Sequence, residues 1–440
     1  MKILILDPYK NTSYRISKDT SGGYGTGNDF GDTIVPQLLK RLLKKAHDWP
    51  PMHAAYTYAV LEKKGYEVKF SKTLPNNLEE FDLFIVVSSI VCCETELETI
   101  KKIKLSNKKI FAIGPFATNN PELYYKAGAS VVSGEPEFYF LKNNNFEQDL
   151  KKNIITFEHE YSLDDLPFPA WDKIIKNNKN VSKLFGNYST VPILATRGCP
   201  YSCFKYCVYP LQQGRKVRQR SVKLIVDEME YWKNKNIKMF IFRDPVFSIN
   251  KKHTIEFCNE LINRNLDVKF VIETHLRILD AELIKLLKKS GLKAVKIGVE
   301  SSDESVLKNA NRFTIEKDQQ FEKIREIEKN NIQVSAMFIL GFPTDNKNSM
   351  DKTITYAKKL NTTYAQFSVW TPYPGTPVYM EHKGKMLTEK FEDYDQYNLI
   401  YEHKTLDKKT VRKFLSKAYN KYYLRPSYLI KSFKSFLYSK

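Results

Sequence analysis

The sequence predicts an α/β protein with two domains, each built on parallel strands. Apolar runs typical of buried strands alternate with amphipathic helical segments along most of the 440 residues. A proline-broken segment, 164–172, divides this alternation into two stretches. Three cysteines, Cys199, Cys203 and Cys207, follow the first apolar strand of the second stretch. Together these features predict a doubly wound sheet followed by a βα-repeat domain that carries a metal site.

The composition is that of a globular protein with excess basic charge. Apolar residues make up 42% of the chain, and no run of 18 apolar residues predicts a membrane-spanning helix. The net charge is +20, but lysines and arginines are scattered, which favours solvated faces over a nucleic-acid partner. Cysteines bunched in one loop favour a reducing cytoplasm over a disulfide framework.

The first domain is expected over residues 1–150. Its alternating strands and helices predict a doubly wound sheet, in which ligands bind beyond the carboxyl ends of the strands. The predicted strands are 2–7, 66–70, 83–87, 110–113 and 130–133. The residues expected at the ligand-binding edge are Gly22 and Gly23 of a glycine-rich loop, Ser88, Ser89, Gly114, Pro115, Gly134 and Glu135.

The second domain is expected over residues 187–380, after a linker over 151–186. Six βα units suggest an incomplete (β/α) barrel, whose chemistry lies at the carboxyl ends of its strands. The predicted strands are 191–196, 238–243, 268–274, 294–300, 333–340 and 364–370. The cysteine loop follows the first of them and therefore lies at the expected catalytic end.

Polar residues and one glycine follow the later strands and are candidates for the same site. They are Asp244, Glu273, His275, Arg277, Glu300, Ser301 and Gly341. A guanidinium such as that of Arg277 suits bidentate contact with a carboxylate. For Glu273 and Arg277, an exposed ion pair of little energetic value is the alternative.

The three cysteines suit a cubane iron–sulfur cluster, because its irons are held by cysteine sulfur. Three ligands for four irons leave one iron open to a substrate or cofactor. A structural zinc site normally has four ligands, and no fourth cysteine or histidine stands nearby at zinc spacing. Zinc and redox thiols remain the alternatives.

The loop 197–207, with Tyr206 before its last cysteine, resembles the cluster-binding loop of radical S-adenosylmethionine (SAM) enzymes. The spacing here is C-x3-C-x3-C, whereas the common family spacing is C-x3-C-x2-C. We expect the loop to accommodate the extra residue in a bulge without loss of a ligand. The reason is that the positions of the thiolates decide ligation, and not the number of residues between them. The resemblance implies a six-stranded partial TIM barrel and a 4Fe–4S cluster on the three cysteines that binds SAM and cleaves it reductively. It also implies SAM contacts by Tyr206, Asp244, Glu273, Arg277, Glu300, Ser301 and Gly341, with contact to the substrate as the alternative for Glu273 and for His275.

The first domain resembles the Rossmann-like cobalamin-binding domain that often precedes a radical SAM domain. The matching marks are the strand-end serines, the Gly114–Pro115 pair and the segment 134–137, and they imply that the edge residues named above contact cobalamin. The D-x-H-x-x-G motif that supplies a cobalt-ligating histidine is missing. His47 and His53 lie outside such a context and are expected to be surface or packing residues. A domain that keeps the fold but has lost the cofactor is the rival interpretation.

Residues 381–440 are expected to be a helical region that ends in a basic amphipathic helix. Such a helix either packs on its own domain or lies on an anionic membrane. The clustered cysteines and the lack of a long apolar run predict a cytoplasmic protein without a transmembrane segment, and this helix makes a position at the inner face of the membrane the alternative. A flavodoxin- or ferredoxin-like protein is the expected electron donor.

The resemblance implies a cobalamin-dependent methyltransferase that acts on an unactivated carbon of a small-molecule or lipid substrate. A radical SAM cyclase or rearrangement enzyme acting on a lipid or tetrapyrrole is the second interpretation. A non-catalytic cobalamin- or metabolite-binding protein is the third. Methylthiotransferases need a second three-cysteine cluster near the N-terminus, where only Cys92 and Cys93 are available.

Overall fold

The first domain is built on a sheet of six parallel strands. The computed structural model describes residues 1–44, 49–156, 161–175, 181–182 and 188–437. The strands of this domain are β1 Lys2–Leu6, β2 Ile16–Ser17, β3 Thr26–Gly27, β4 Glu67–Ser71, β5 Leu83–Val87, β6 Lys109–Ile113, β7 Ser130–Ser133 and β8 Ile154–Thr156. The sheet order is β4-β1-β5-β6-β7-β8, and β2 pairs only with β3.

Helices cover both faces of this sheet, so its central strands are apolar throughout. Every residue of β5 is buried, as is typical of a parallel strand with helices on both sides. The helices are α1 Ile34–Lys44, α2 Met52–Lys63, α3 Cys93–Leu105, α4 Pro115–Asn119, α5 Pro121–Ala127 and α6 Pro136–Lys142. The doubly wound fold is confirmed. The sheet extends through β8, which lies beyond the predicted boundary at residue 150.

The second domain is a partial barrel of six parallel strands with one short antiparallel strand at its edge. Its strands are β9 Val181–Ser182, β10 Tyr188–Ile193, β11 Thr196–Arg197, β12 Arg218–Gln219, β13 Met239–Phe242, β14 Lys269–Glu273, β15 Leu292–Glu300, β16 Gln333–Leu340 and β17 Tyr364–Val369. The order is β17-β16-β15-β14-β13-β10-β9, with β9 antiparallel to β10. The predicted six-stranded barrel is therefore confirmed.

Helices alternate with the barrel strands and close its outer face. After the linker helix α7 Trp171–Ile174 they are α8 Tyr209–Gln213, α9 Val222–Asn234, α10 Lys251–Asn263, α11 Ala281–Lys289, α12 Glu304–Asn309, α13 Lys317–Lys329, α14 Lys347–Leu360 and α15 Pro377–His382. Burial along β15 and β16 alternates, so one set of side chains packs under these helices and the other faces the barrel interior. The interior set includes charged residues, which mark the site.

The C-terminal helices, α16 Lys408–Tyr423 and α17 Pro426–Leu437, follow the barrel. α16 contacts both domains: the Tyr419 hydroxyl donates to the carbonyl of Phe367 in β17 at 2.9 Å, and Arg412 pairs with Asp32 of the first domain at 2.6 Å. No helix in the described part of the chain is long and apolar enough to span a membrane.

Candidate active site between the two sheets

The cysteine loop begins directly after β11 and folds back on the segment before β12. Gly198 has φ +95°, and a Cβ at this position would collide with the carbonyl of Lys216, so the close turn requires glycine. The Cys199 amide donates to Gly214 O at 3.2 Å. These contacts hold Cys199 at the carboxyl end of the first barrel strand.

A helical turn at 202–205 accommodates the C-x3-C-x3-C spacing. The Cys207 amide donates to Cys203 O at 3.0 Å, which is the bond between residues four apart in a helix. Side chains four residues apart lie on one face of a helical turn. The additional residue therefore brings Cys207 back beside Cys203 instead of separating the two.

The thiols of the loop interact with one another. Cys199 and Cys203 are buried and Cys207 is half-buried. A hydrogen bond with the Cys207 thiol, assisted by the Arg312 guanidinium, lowers the pKa of Cys203 to about 6, against the opposing effect of burial. The Arg312 Nη1 lies 3.9 Å from Cys203 Sγ. These contacts favour the thiolate form of Cys203, which is the form that binds iron.

A site for a single metal ion is a different arrangement from a site for an iron–sulfur cluster. Among the described residues, no three histidine, cysteine, aspartate or glutamate side chains lie close enough together to hold one metal ion between them.

A cavity of about 240 Å³ lies in front of this loop. Four of the predicted site residues line it: Tyr206, Cys207, Glu273 and Glu300. Thr20, Ser21 and Thr26 of the first domain and Gln396 of the C-terminal region line it as well, so both domains contribute to its wall. The remaining lining side chains include the apolar Met337, Ile339 and Trp370.

Glu300 and Arg312 form an ion pair beside the cysteines. Glu300 has φ +65° at a bulge between β15 and β16, and this backbone turn re-aims its side chain. The Glu300 carboxylate lies 3.3 Å from Arg312 Nη2, which also donates to Gly298 O at 3.0 Å. Sequence reasoning missed Arg312, because it follows α12 and stands at no strand end.

Lys296 is a second residue that the sequence did not indicate. It stands opposite Glu273 in the register of β14 and β15, and both side chains line the cavity. Burial and nearby Arg243 together lower the pKa of Lys296 to about 8, while Glu273 opposes the shift. The period-2 alternation of β15 was the only sequence signal that placed Lys296 on the same face as Glu300.

Asp244 and Ser301 make internal hydrogen bonds rather than lining the cavity. The buried Asp244 carboxylate accepts from the Ala195 amide at 3.2 Å, the Thr196 amide and the Thr196 hydroxyl at 2.7 Å. Burial raises its pKa to about 6. Ser301 Oγ accepts from the Asp303 amide at 3.1 Å and pairs with the Thr353 hydroxyl. Both residues fix strand ends, and their predicted SAM contacts stay predictions.

Arg277 and Gly341 also lie outside the set of cavity-lining residues. Arg277 is exposed and stacks its guanidinium 4.9 Å from the centre of the Phe313 ring. The Gly341 carbonyl accepts from the Tyr401 hydroxyl at 2.9 Å. The predicted SAM contacts of Arg277 and Gly341 stay predictions, and the positions of the two residues do not support them.

Three of the predicted edge residues, Ser88, Ser89 and Gly134, make hydrogen bonds within the first domain. Ser88 Oγ accepts from the Ala117 amide at 3.0 Å, and Ser89 Oγ donates to Glu96 at 2.7 Å. The Gly134 amide donates to Thr118 Oγ1 at 3.1 Å. Gly22 and Gly23, both at positive φ, line a cavity of about 50 Å³ between the domains.

Glu135 is an interdomain ion-pair residue. Its carboxylate accepts from Arg197 at 2.6 Å and from Arg218 at 2.8 Å, and it is fully buried. Arg197 also pairs with Glu137. This network connects the strand end before the cysteine loop to the first domain, so the structure gives Glu135 partners other than a cofactor.

His53 and His47 were expected to be surface or packing residues. His53 is 4% exposed and lines the smaller cavity, and its Nε2 has no hydrogen-bond partner among the described residues. His47 lies outside the described residues.

Comparisons with known proteins agree with this geometry. Residues 193–357 match the family model of the radical SAM superfamily. An uncharacterized methyltransferase of Pyrococcus horikoshii is 27% identical over 87% of this chain and 89% of its own length. The bacteriochlorophyllide d C-12(1)-methyltransferase of Chlorobaculum tepidum is 28% identical over 79% of this chain and 77% of its own.

One solved structure extends the comparison to the fold. The radical SAM methyltransferase TsrM from Kitasatospora setae, determined with cobalamin and a [4Fe-4S] cluster bound, superposes with a TM-score of 0.61. The match covers 86% of this chain and 77% of that one at 15% identity. The arrangement of sheet domain, partial barrel and C-terminal helices is therefore shared.

Proposed function

We propose that this chain, which belongs to the radical SAM superfamily through residues 193–357, is a cobalamin-dependent methyltransferase acting on a small-molecule or lipid substrate. The observation that carries the proposal is the meeting of three elements at one cavity: the cysteine loop, the charged interior of the barrel and the edge of the first domain. Both methyltransferase relatives match this chain across both domains.

The cysteine loop fits a 4Fe–4S cluster by its donor set. It provides three interacting thiols, one of them with a pKa of about 6, beside the cation of Arg312. When bound and reduced, the cluster supplies the electron that splits a carbon–sulfur bond of SAM. Arg312 holds Glu300 at the same wall and favours the thiolate form of Cys203.

The barrel residues suit a ligand with charges of both signs. Glu273 and Glu300 offer carboxylates to an ammonium group or ribose hydroxyls, and Lys296 offers a cation to a carboxylate. Part of the cavity wall is apolar, formed by Met337, Ile339 and Trp370. These side chains keep water away from a reactive radical. The Lys296 amine keeps its proton below about pH 8.

The first domain fits a corrinoid at its carboxyl edge. Gly22, Gly23 and Gly114 have positive φ at this edge, and the buried His53 Nε2 beside Gly114 has no hydrogen-bond partner among the described residues. When bound, cobalamin supplies the methyl group that is transferred. The Arg197–Glu135 ion pair holds this edge against the cysteine loop.

Anaerobic reconstitution of the full chain tests the proposal. We expect one iron–sulfur cluster and one corrinoid per chain, deoxyadenosine formation from SAM, and label from methyl-labelled SAM in a small-molecule or lipid product of a cell extract. Cys203→Ser should lose the cluster and SAM cleavage. Cys258→Ser, which changes a buried cysteine of α10, should retain both.

The rival functions predict different results. Deoxyadenosine without label in any product would contradict methyl transfer and favour the cyclase or rearrangement interpretation. Protein that holds corrinoid but no iron, and leaves SAM intact, would favour a non-catalytic binding protein.

Two finer features belong to the proposal. A flavodoxin- or ferredoxin-like donor supplies the electron in a cytoplasmic setting. The second feature is contact between α17 and an anionic membrane, made by the apolar side chains of Leu429 and Ile430, which are 56% and 59% exposed. Flotation with anionic vesicles tests the second feature, and loss of binding in Ile430→Glu is the expected result.

A further inference from the structure

Lys296 places a cation inside the barrel, at the wall of the larger cavity. It belongs to β15, and its side chain lines the cavity of about 240 Å³. Within the described part of the chain, the Lys296 amine has no hydrogen bond and no ion pair. Burial is the main cause of its lowered pKa of about 8, so the charged amine is disfavoured in the folded protein.

The acidic residues around Lys296 do not neutralise it. Asp19 of the first domain is paired with Arg243. Glu273 stands opposite Lys296 in the register of β14 and β15, but the two side chains form no ion pair. Burial raises the pKa of Glu273, which weakens it as a counter-charge. The Lys296 cation is therefore left without a partner among the described residues, which is unfavourable unless a ligand neutralises it.

The carboxylate of SAM belongs near the cysteine loop rather than at Lys296. The proposed reaction splits a carbon–sulfur bond of SAM with an electron from the cluster, so this sulfur and the methionine carboxylate attached to it lie at the cluster end of the cavity. Glu300 marks that end through its ion pair with Arg312. Lys296 precedes Glu300 by four residues, which is about 13 Å along an extended strand. The charges that act on Lys296 include those of Asp19 and Arg15, both in the first domain.

We infer that Lys296 binds an anionic group, either a carboxylate or a phosphate monoester, on the substrate that accepts the methyl group. The inference rests on the proposed methyl transfer. A substrate with this group neutralises the amine, whereas a substrate without it leaves a buried charge unpaired. Lys296 therefore selects acids over neutral molecules of the same shape.

The product that the full-length protein labels from methyl-labelled SAM in a cell extract tests this assignment. We expect an anion-exchange resin at pH 7 to retain the labelled product. Methyl esterification should abolish the retention of a carboxylate, and phosphatase should abolish the retention of a phosphate monoester. A labelled product without negative charge would overturn the inference and leave the proposed methyl transfer intact. Absence of label from every product would overturn both.

Equilibrium dialysis with the purified labelled product measures the contact itself, because methylation at carbon leaves the anionic group in place. Lys296→Met should bind this product about 30-fold more weakly or worse, since one partner of a buried charge pair is removed. Lys296→Arg keeps the cation and should recover most of the affinity. Product whose anionic group has been esterified or removed should bind Lys296→Met as tightly as it binds the natural protein.

The control variant is Lys285→Met, which changes an exposed lysine of α11 and should bind the labelled product normally. Equal binding of the anionic product by the natural protein and Lys296→Met would overturn the inference. Equal weakening of the anionic and the uncharged product in Lys296→Met would also overturn it, because the loss would then come from an altered cavity and not from a charge contact.

Discussion

Arg197 donates to Glu135 at 2.6 Å, and this buried ion pair joins the strand end before the cysteine loop to the first domain. Arg197 is two residues from Cys199, so the ion pair lies close to the first cysteine of the loop. Burial of both charges makes the pair sensitive to the loss of either partner, because the remaining charge is left unsolvated.

Glu135→Gln should destabilise the protein by about 3 kcal/mol, since Arg197 and Arg218 both lose a buried carboxylate partner. Urea unfolding measures the free-energy change, and iron content after reconstitution should fall in parallel. Glu122→Gln is the matched control, because Glu122 pairs with Lys126 at the surface and should cost less than about 0.5 kcal/mol. Equal effects of the two variants would contradict a structural role for the interdomain pair.

Deletion of Lys205 should abolish cluster binding even though it restores the common C-x3-C-x2-C spacing. The bond from the Cys207 amide to Cys203 O depends on a four-residue separation, and removing one residue rotates Cys207 by about 100° around the turn. Iron and sulfide content and the cluster absorbance report the loss. Lys205→Ala should bind the cluster normally, because Lys205 is exposed. A deletion variant that still binds a cluster would show that the loop tolerates either length.

Arg312→Gln should reduce SAM cleavage by about 100-fold, because the substitution removes the cation that lies beside Cys203 of the cysteine loop. It should also raise the pKa of Cys203 from about 6 in the cluster-free protein, since the attraction of Arg312 for the thiolate is lost. The rate of Cys203 alkylation against pH measures the second effect. Arg325→Gln, at an exposed position of α13, should change neither. An unchanged Cys203 pKa would contradict the contact.

Lys296→Met should stabilise the protein at pH 7. The pKa of Lys296 is lowered to about 8 by burial, so the charged amine disfavours the folded state. In the unfolded chain this amine loses its proton near its ordinary pKa of 10.5, and the penalty therefore fades as pH rises from about 8 to 10.5. Urea unfolding at pH 7 and pH 10 should show a stability gain at pH 7 that is smaller at pH 10.

Lys285→Met provides the comparison for this series, because Lys285 is exposed on α11. It should leave the free energy of unfolding nearly unchanged at both pH values. A Lys296→Met variant that is less stable than the natural protein at pH 7 would mean that the amine has a favourable partner in the folded state.

The sequence by itself determined the α/β architecture, the six-stranded barrel and the cysteine loop. Apolar periodicity is a local property, and the three cysteines lie within nine residues, so both can be read without knowing the fold. The same local reasoning predicted that Tyr206, Glu273 and Glu300 belong to one site, because the carboxyl ends of parallel strands lie at the same end of the barrel. All three residues line the cavity.

Only the tertiary structure decided which polar side chains face that cavity. Asp244 and Ser301 follow strands as expected, but their oxygens bond to nearby backbone and side-chain groups instead. Arg312 and Lys296 acquire their significance from residues that the fold brings next to them, which are Cys203 and Glu300 for Arg312 and Glu273 for Lys296. Such contacts depend on how the strands and the segments between them pack, and apart from the period-2 alternation of β15, which puts Lys296 on the face of Glu300, no local pattern in the sequence indicates them.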